Sequence, residues 1–129
     1  MQLNPDCIRD ILLSVESVTD FSHSFTYKKD TDINDYLKKY SHEEIIYHIR
    51  QCSMSNFITN VHYYDCGETI SITDLSPSGH EFLSNIRSDT VWKSTKSIAG
   101  KIGSYSIDVL TKIAVGVLTQ LINKQLNNF

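Results

Sequence analysis

The stretch Thr69–Arg87, TISITDLSPSGHEFLSNIR, reads as a strand that runs straight into a capped helix. Ile70 and Ile72 alternate with Ser71 and Thr73, the period of a half-buried strand. Ser76 stands in the N-cap position. Pro77 follows at the first helical position, where its missing N–H costs nothing. Phe82, Leu83 and Ile86 recur at helical spacing and turn one stripe inward. A strand tied this closely to a helix leaves few arrangements for the elements before it.

Those elements have their own punctuation. Asn4-Pro5-Asp6 is a helix start, and Ile8, Ile11, Leu12, Val15 and Val18 share one face, so a first helix runs from Pro5 to Val18. Phe25 and Tyr27 alternate with polar residues as in a short strand, and Lys28–Thr31 reads as a turn. Asp32 is placed to cap a second helix carrying Ile33, Tyr36, Leu37 and Tyr40. Ser41-His42-Glu43-Glu44 is a capping box that opens a third helix, with Ile45, Ile46 and Ile49 inward and Asn56 as a left-handed terminator. Two helices meeting within a residue or two is the helix-turn-helix arrangement. Strand formers run from Phe57 to Tyr64, Asp65-Cys66-Gly67-Glu68 is a tight turn centred on a glycine, and Ile70–Asp74 returns as the partner strand. The expected class is α+β, mostly α: a winged helix-turn-helix core with a β-hairpin wing, followed by a helical C-terminal extension.

Charge marks the expected division of the chain. Residues 1–87 carry 13 acidic and seven basic side chains, net −6, whereas residues 88–129 carry five lysines and two aspartates, net +3. The expectation is an acidic winged-helix domain over 1–87 and a basic, apolar helical extension over 88–129 that mediates self-association or docking. With 129 residues and 40% hydrophobic content, the chain can bury a core. Three widely spaced cysteines, Cys7, Cys52 and Cys66, fit reduced thiols, and the start lacks the basic and apolar regions of a signal peptide. A cytoplasmic setting is expected.

Two resemblances follow. Leu75–Leu83 looks like the "Leu-Thr-x-x-Gly-x-x-x-Leu" junction after the wing of many bacterial winged-helix proteins. Asn4–Leu12 (NPDCIRDIL), Glu44–Ile49 (EIIYHI), Leu75–Arg87 and Val91-Trp92 together resemble a family of small bacterial and phage proteins classed as a domain of unknown function. That resemblance spans nearly the full length. It implies a winged-helix-like fold and an association with mobile elements, with no catalytic, cofactor or binding residues.

In the tail, Gly100 and Gly103 divide two helices. Asp89 is placed to cap the first, which carries Val91, Trp92 and Ile98. The second covers roughly Ser104–Asn127, with Ile107, Leu110, Ala114, Val117 and Leu121 at coiled-coil-like spacing as the oligomerisation seam and Val109, Ile113, Leu118 and Ile122 broadening it. As a transmembrane span, 102–122 has the length, but Asp108 and Lys112 would each cost about 2.5–3.5 kcal/mol near the bilayer centre. The lysines at 101, 112 and 124 leave a peripheral anchor over 104–126 as an alternative.

For chemistry, the helix at 42–53 would present His42, Glu43, Tyr47, His48, Arg50 and Gln51 to a partner or to DNA. Arg50 and Gln51 can read base edges. Against DNA, Glu43 and Glu44 would face phosphates, the wing carries Asp65 and Glu68 without a cation, and only Lys28, Lys29, Lys38 and Lys39 could form a local patch. His48 with Cys52 has a helical chelating spacing, and His62 with Cys66 repeats it on a strand, where four residues span roughly 13 Å, so the four are weak zinc candidates that reach one ion only if the wing curls tightly. Ser78-Gly79-His80 does not make a facing serine–histidine pair, and Gly79 fits a close approach of its helix to the sheet. No catalytic residue, cofactor or metal is expected. The expected function is a non-enzymatic protein-interaction or regulatory module, phage or prophage encoded, whose partner is a host bacterial protein and which forms a homodimer. A DNA-binding transcriptional regulator is the alternative.

Overall fold

The computed structural model describes residues 1–31 and 33–128. Asp32, the expected cap of a second helix, lies outside them. The class is α+β and mostly helical. The elements in chain order are α1 (Pro5–Val18), β1 (Phe25–Lys28), α2 (His42–Met54), β2 (Ile58–Thr59), β3 (His62–Tyr64), β4 (Thr69–Ile72), β5 (Asp74–Leu75), α3 (Pro77–Ile86), α4 (Asp89–Ile102) and α5 (Ile107–Leu126). They form two compact units: Asp6–Glu81, and Met1–Pro5 with the chain from Phe82 onward.

In the first of these, α1 buries Cys7, Ile8, Ile11, Leu12 and Val15, while Val18, expected on that face, is exposed. β1, β4 and β3 form an antiparallel sheet in that order, with Phe25 opposite Ile72 and Tyr27 opposite Ile70. All four of those side chains are buried. The capping box of α2 is present: Ser41 Oγ accepts from Glu44 N at 3.2 Å, and Glu44 Oε1 accepts from Ser41 N at 3.4 Å. Asn56 has φ 60°, so the chain turns off α2 in the left-handed conformation that asparagine tolerates. The turn between β3 and β4 uses more than its glycine, since Asp65 and Cys66 also have positive φ and Glu68 N donates to Asp65 O at 3.1 Å.

Three expectations fail here. Residues 33–40 do not form a helix: Leu37 and Lys38 donate to Asn34 O at 3.2 and 3.1 Å, and Tyr40 donates to Leu37 O, a chain of turns. Asn34 Oδ1 also accepts from Leu37 N at 3.1 Å, offering the backbone an alternative to the helical bond. A single helix, α2, therefore stands where the helix-turn-helix arrangement needs two. The expected strand 57–64 is also two strands. Asn60 has φ 50°; before this break β2 pairs with β5, and after it β3 pairs with β4.

The junction into α3 is as read. Ser76 Oγ accepts from Gly79 N at 3.0 Å, and Ser76 N donates to Phe57 O at 2.9 Å. Gly79 lies so close to Phe57 that an added Cβ would sit 2.0 Å from the Phe57 carbonyl oxygen.

In the other unit, α4 and α5 pack together as a helical hairpin. The cap of α4 is Ser88, whose Oγ accepts from Val91 N at 3.2 Å, rather than Asp89, which is the first helical residue. α4 runs through Gly100 and ends at Gly103, which has φ 88° and donates to Ala99 O at 2.8 Å. Ser106 caps α5 in the same way as Ser88 caps α4, accepting from Val109 N at 3.1 Å. Thr95 of α4 is fully buried, and its hydroxyl has no hydrogen-bond partner among the described residues.

Candidate functional site

α2 sorts its residues sharply. Ile45, His48, Ile49 and Cys52 point inward and are fully buried. His48, expected on the outer face, is thus a core residue; its Nδ1–H donates to Glu44 O at 2.7 Å. The opposite side follows i, i+4, i+7, i+11: Glu43, Tyr47, Arg50 and Met54, with Gln51 beside them. Glu43, Arg50 and Met54 are exposed, and Tyr47 and Gln51 are half-buried. Met54 was legible at that spacing and was missed.

Aromatic contacts stiffen this face. The Arg50 guanidinium lies 5.7 Å from the centre of the Tyr47 ring, a contact worth about 0.5–1 kcal/mol at an exposed position. Burial raises the Tyr63 hydroxyl above its ordinary pKa, and the Arg50 charge opposes the rise. At the start of α2, the Tyr27 hydroxyl and His42 Nδ1 share a hydrogen bond of 2.7 Å, with the two rings stacked at 5.7 Å. Burial, with Asp30 and Glu43 nearby, pushes the Tyr27 hydroxyl up to about 12 and keeps it neutral.

The surroundings are acidic. No lysine or arginine occurs between Arg50 and Arg87, so the whole β3–β4 hairpin lacks a cation while Asp65 and Glu68 are exposed on it. Of the four lysines expected to form a patch, Lys38 pairs with Asp35 at 3.0 Å and Lys39 with Asp10 at 3.1 Å. Asp10 also accepts from the Tyr40 hydroxyl at 2.6 Å. Lys28 and Lys29 are exposed.

The four candidate metal donors are not brought together as one set. His48 and Cys52 are sealed in the core, whereas His62 and Cys66 are exposed on the hairpin. Burial holds the Cys52 thiol well above its usual range, away from the thiolate a metal needs. Among the described residues no group of three or more His, Cys, Asp or Glu side chains is placed to hold a metal ion. A cleft of about 20 Å³ beside β1, lined by Phe25, Tyr27, Ile33 and Leu37, is water-sized.

The expected seam of α5 divides along its length. Leu110 and Ala114 are buried, Ile107 and Val117 half-buried, and Leu121 is 41% exposed. Among the described residues no helix is long and apolar enough to cross a membrane.

The structure defines a small, mostly helical α+β protein with a hairpin-bearing sheet and a terminal helical hairpin. Over residues 2–106 the chain matches the family described as "Hypothetical protein (DUF2513)", and it belongs to that family. The matched residues end at Ser106, the cap of α5. The chain is also similar to an "Uncharacterized protein" of Haemophilus influenzae, with 31% identity over 124 residues, 95% of this chain and 99% of that protein. No solved structure matches it.

Proposed function

We propose that this chain is a non-enzymatic, regulatory protein-interaction module that meets a protein partner through the outward face of α2 and the adjoining strand β3. The observation behind this reading is that Tyr47, Arg50 and Met54 share the outward side of α2, that the Arg50 charge reaches Tyr63 on β3, and that Glu43, Asp65 and Glu68 are exposed on α2 and the hairpin. Tyr, Arg and Met are the side chains enriched where protein partners bind, and an acidic border suits a partner with a basic rim. A host nucleic-acid-binding protein has such a surface. The sequence resemblance to bacterial and phage proteins supports a phage or prophage origin, and the two buried thiols suit a reducing, cytoplasmic setting.

The test is partner capture by the full chain from bacterial extract. Glu43→Gln, Glu44→Gln, Asp65→Asn and Glu68→Gln are combined, and Tyr47→Ala with Tyr63→Ala forms a second variant. Glutamine at 44 preserves the capping box, so α2 stays folded. Both variants should lose the captured protein while keeping the wild-type circular dichroism. Capture unchanged in both defeats the reading. Micromolar binding of mixed-sequence duplex DNA that falls steeply with salt and needs Arg50 and Gln51 would replace it with the DNA-regulator reading.

A further inference from the structure

We propose that the outer edge of β3 takes an extended peptide of the partner as an added antiparallel strand, with a carboxylate side chain of that peptide on Arg50. The inference rests on the protein-interaction reading above and says how the partner is held. Lys29 N donates to Glu68 O at 2.8 Å, which fixes the alternation along β4: Ile70 and Ile72 turn their backbone groups to β1, and Thr69 and Ser71 turn theirs to β3. Thr73 N, donating to Thr59 O at 3.0 Å, keeps the same alternation. On β3, His62 and Tyr64 therefore bond to Ser71 and Thr69, and the N–H and C=O of Tyr63 point away from β4. Neither group has a hydrogen-bond partner among the described residues. The opposite edge, β1, is protected: Thr31 N donates back to Lys28 O at 3.4 Å, and Lys28 and Lys29 are charges that deter pairing. β3 is exposed along its whole length and carries no lysine or proline.

Arg50 supplies the other half of the site. Gly67, in the turn after β3, lies against Ile46 of α2: a Cβ added to it would be 3.7 Å from Ile46 Cδ1. At the far end of α2, Phe57 N donates to Cys52 O at 3.0 Å. Arg50 is one helical turn beyond Ile46 on the same side of α2, so it stands beside β3 between these two ties. It is exposed, rests on the Tyr47 ring and pairs with no carboxylate among the described residues. Tyr63 shares a face of the sheet with Ile70, its partner across the ladder, and the Arg50 charge reaches its hydroxyl. A peptide residue set opposite Tyr63 exchanges both backbone bonds with it and sends its own side chain to that same face, the Arg50 side. A carboxylate there gains charge-assisted hydrogen bonds. Asp65 and Glu68, exposed at the turn, call for a lysine or arginine at the end of the peptide. Charge also excludes a second copy as the occupant, because two β3 edges paired about Tyr63 would set Arg50 against Arg50.

The probe is the blocked peptide acetyl-Lys-Val-Thr-Glu-Thr-Val-Lys-amide, titrated into the isotope-labelled full chain and followed by NMR. It should bind in the submillimolar range, shift the Tyr63 amide and slow its exchange with solvent. The same peptide N-methylated at its glutamate should not bind, since it lacks the donor that faces Tyr63; the protein is unaltered in this arm, so its folding is not in question. Glutamine in place of that glutamate, or Arg50→Gln in the protein, should weaken binding about tenfold, and the two together no further. Tyr63→Pro, which removes a donor that β4 does not use, should abolish binding, whereas Tyr63→Thr should weaken it no more than about fivefold, the worth of one cross-strand pair. The proposal is overturned by a peptide that fails to bind, by equal binding of the N-methylated peptide, or by indifference to Arg50→Gln. It is also overturned by a chain that sediments as a dimer and becomes monomeric with Tyr63→Pro. If the peptide fails while capture from extract is still lost in the Tyr47→Ala, Tyr63→Ala variant, the protein-interaction reading stands and strand addition alone falls.

Discussion

Gly79→Ala is expected to destabilise the chain severely, although Gly79 lies inside a helix, where alanine normally helps. The added Cβ would meet the Phe57 carbonyl oxygen at 2.0 Å, and real Cβ contacts stay beyond 3.0 Å, so α3 and Phe57 must part by about 1 Å. The oxygen cannot swing aside freely, because it accepts from Ser76 N at 2.9 Å. Parting also stretches the cap bond from Gly79 N to Ser76 Oγ, now 3.0 Å. Overpacking costs about 2 kcal/mol. Two weakened hydrogen bonds add about 2 kcal/mol. The better helix propensity of alanine returns about 1 kcal/mol. The net loss is about 3 kcal/mol, a Tm lower by about 10 °C. Urea unfolding followed by circular dichroism reads it. Gly116→Ala is the matched control: nothing lies within 4 Å of its added Cβ, so the same change should stabilise by about 0.5–1 kcal/mol. If Gly79→Ala falls within about 0.5 kcal/mol of wild type, the close approach of α3 to Phe57 is wrong.

Four further outcomes are expected. Ser76→Ala should cost about 1–2 kcal/mol in the same urea titration, since Ser76 Oγ caps α3 and also donates to Asn56 O. Thr95→Val should raise stability by about 1 kcal/mol, because it replaces a buried hydroxyl that has no partner with a methyl of the same shape. Of the three thiols, only Cys66 should react quickly with a disulfide reagent in the native protein, all three after denaturation; burial raises the Cys7 thiol to about 12 and the Cys52 thiol higher still. The Tyr27 hydroxyl, near 10 when unfolded and about 12 when folded, keeps its proton longer in the native state, so its contribution is complete below pH 10 and lost as pH rises towards 12. Tyr27→Phe should flatten the fall of stability with pH over that window, measured by unfolding at stepped alkaline pH.

What could be read from the residues was mostly local. The Ser41–Glu44 box, Asn56, the 65–68 turn and the Ser76-Pro77 start each act through bonds within a few residues, and all are found where their side chains predict. The failures came where a longer-range or competing bond decides. Ile33, Tyr36, Leu37 and Tyr40 have helical spacing, yet Asn34 captures the amide of Leu37, and Lys39 and Tyr40 are drawn to Asp10. The strand-forming run 57–64 says nothing about which partner each half chooses, and β2 and β3 choose different ones. The surface of α2 was half legible: Glu43, Tyr47, Arg50 and Gln51 follow the helical period, while His48 was misplaced. The Arg50 charge also reaches Tyr63 on β3, which no spacing within the chain announces.

The long interval from Arg50 to Arg87 also has a consequence for proteolytic mapping. Trypsin cuts only after lysine or arginine, so β2, the hairpin, β5 and the whole of α3 leave the chain as one peptide whether folded or not. Tryptic nicking of this protein therefore reports on the segments carrying Lys28, Lys29, Lys38 and Lys39, on α2 at Arg50 and on the terminal helices. Opening of the β3–β4 hairpin is visible instead to a protease that cuts after Tyr63, Tyr64 or Glu68.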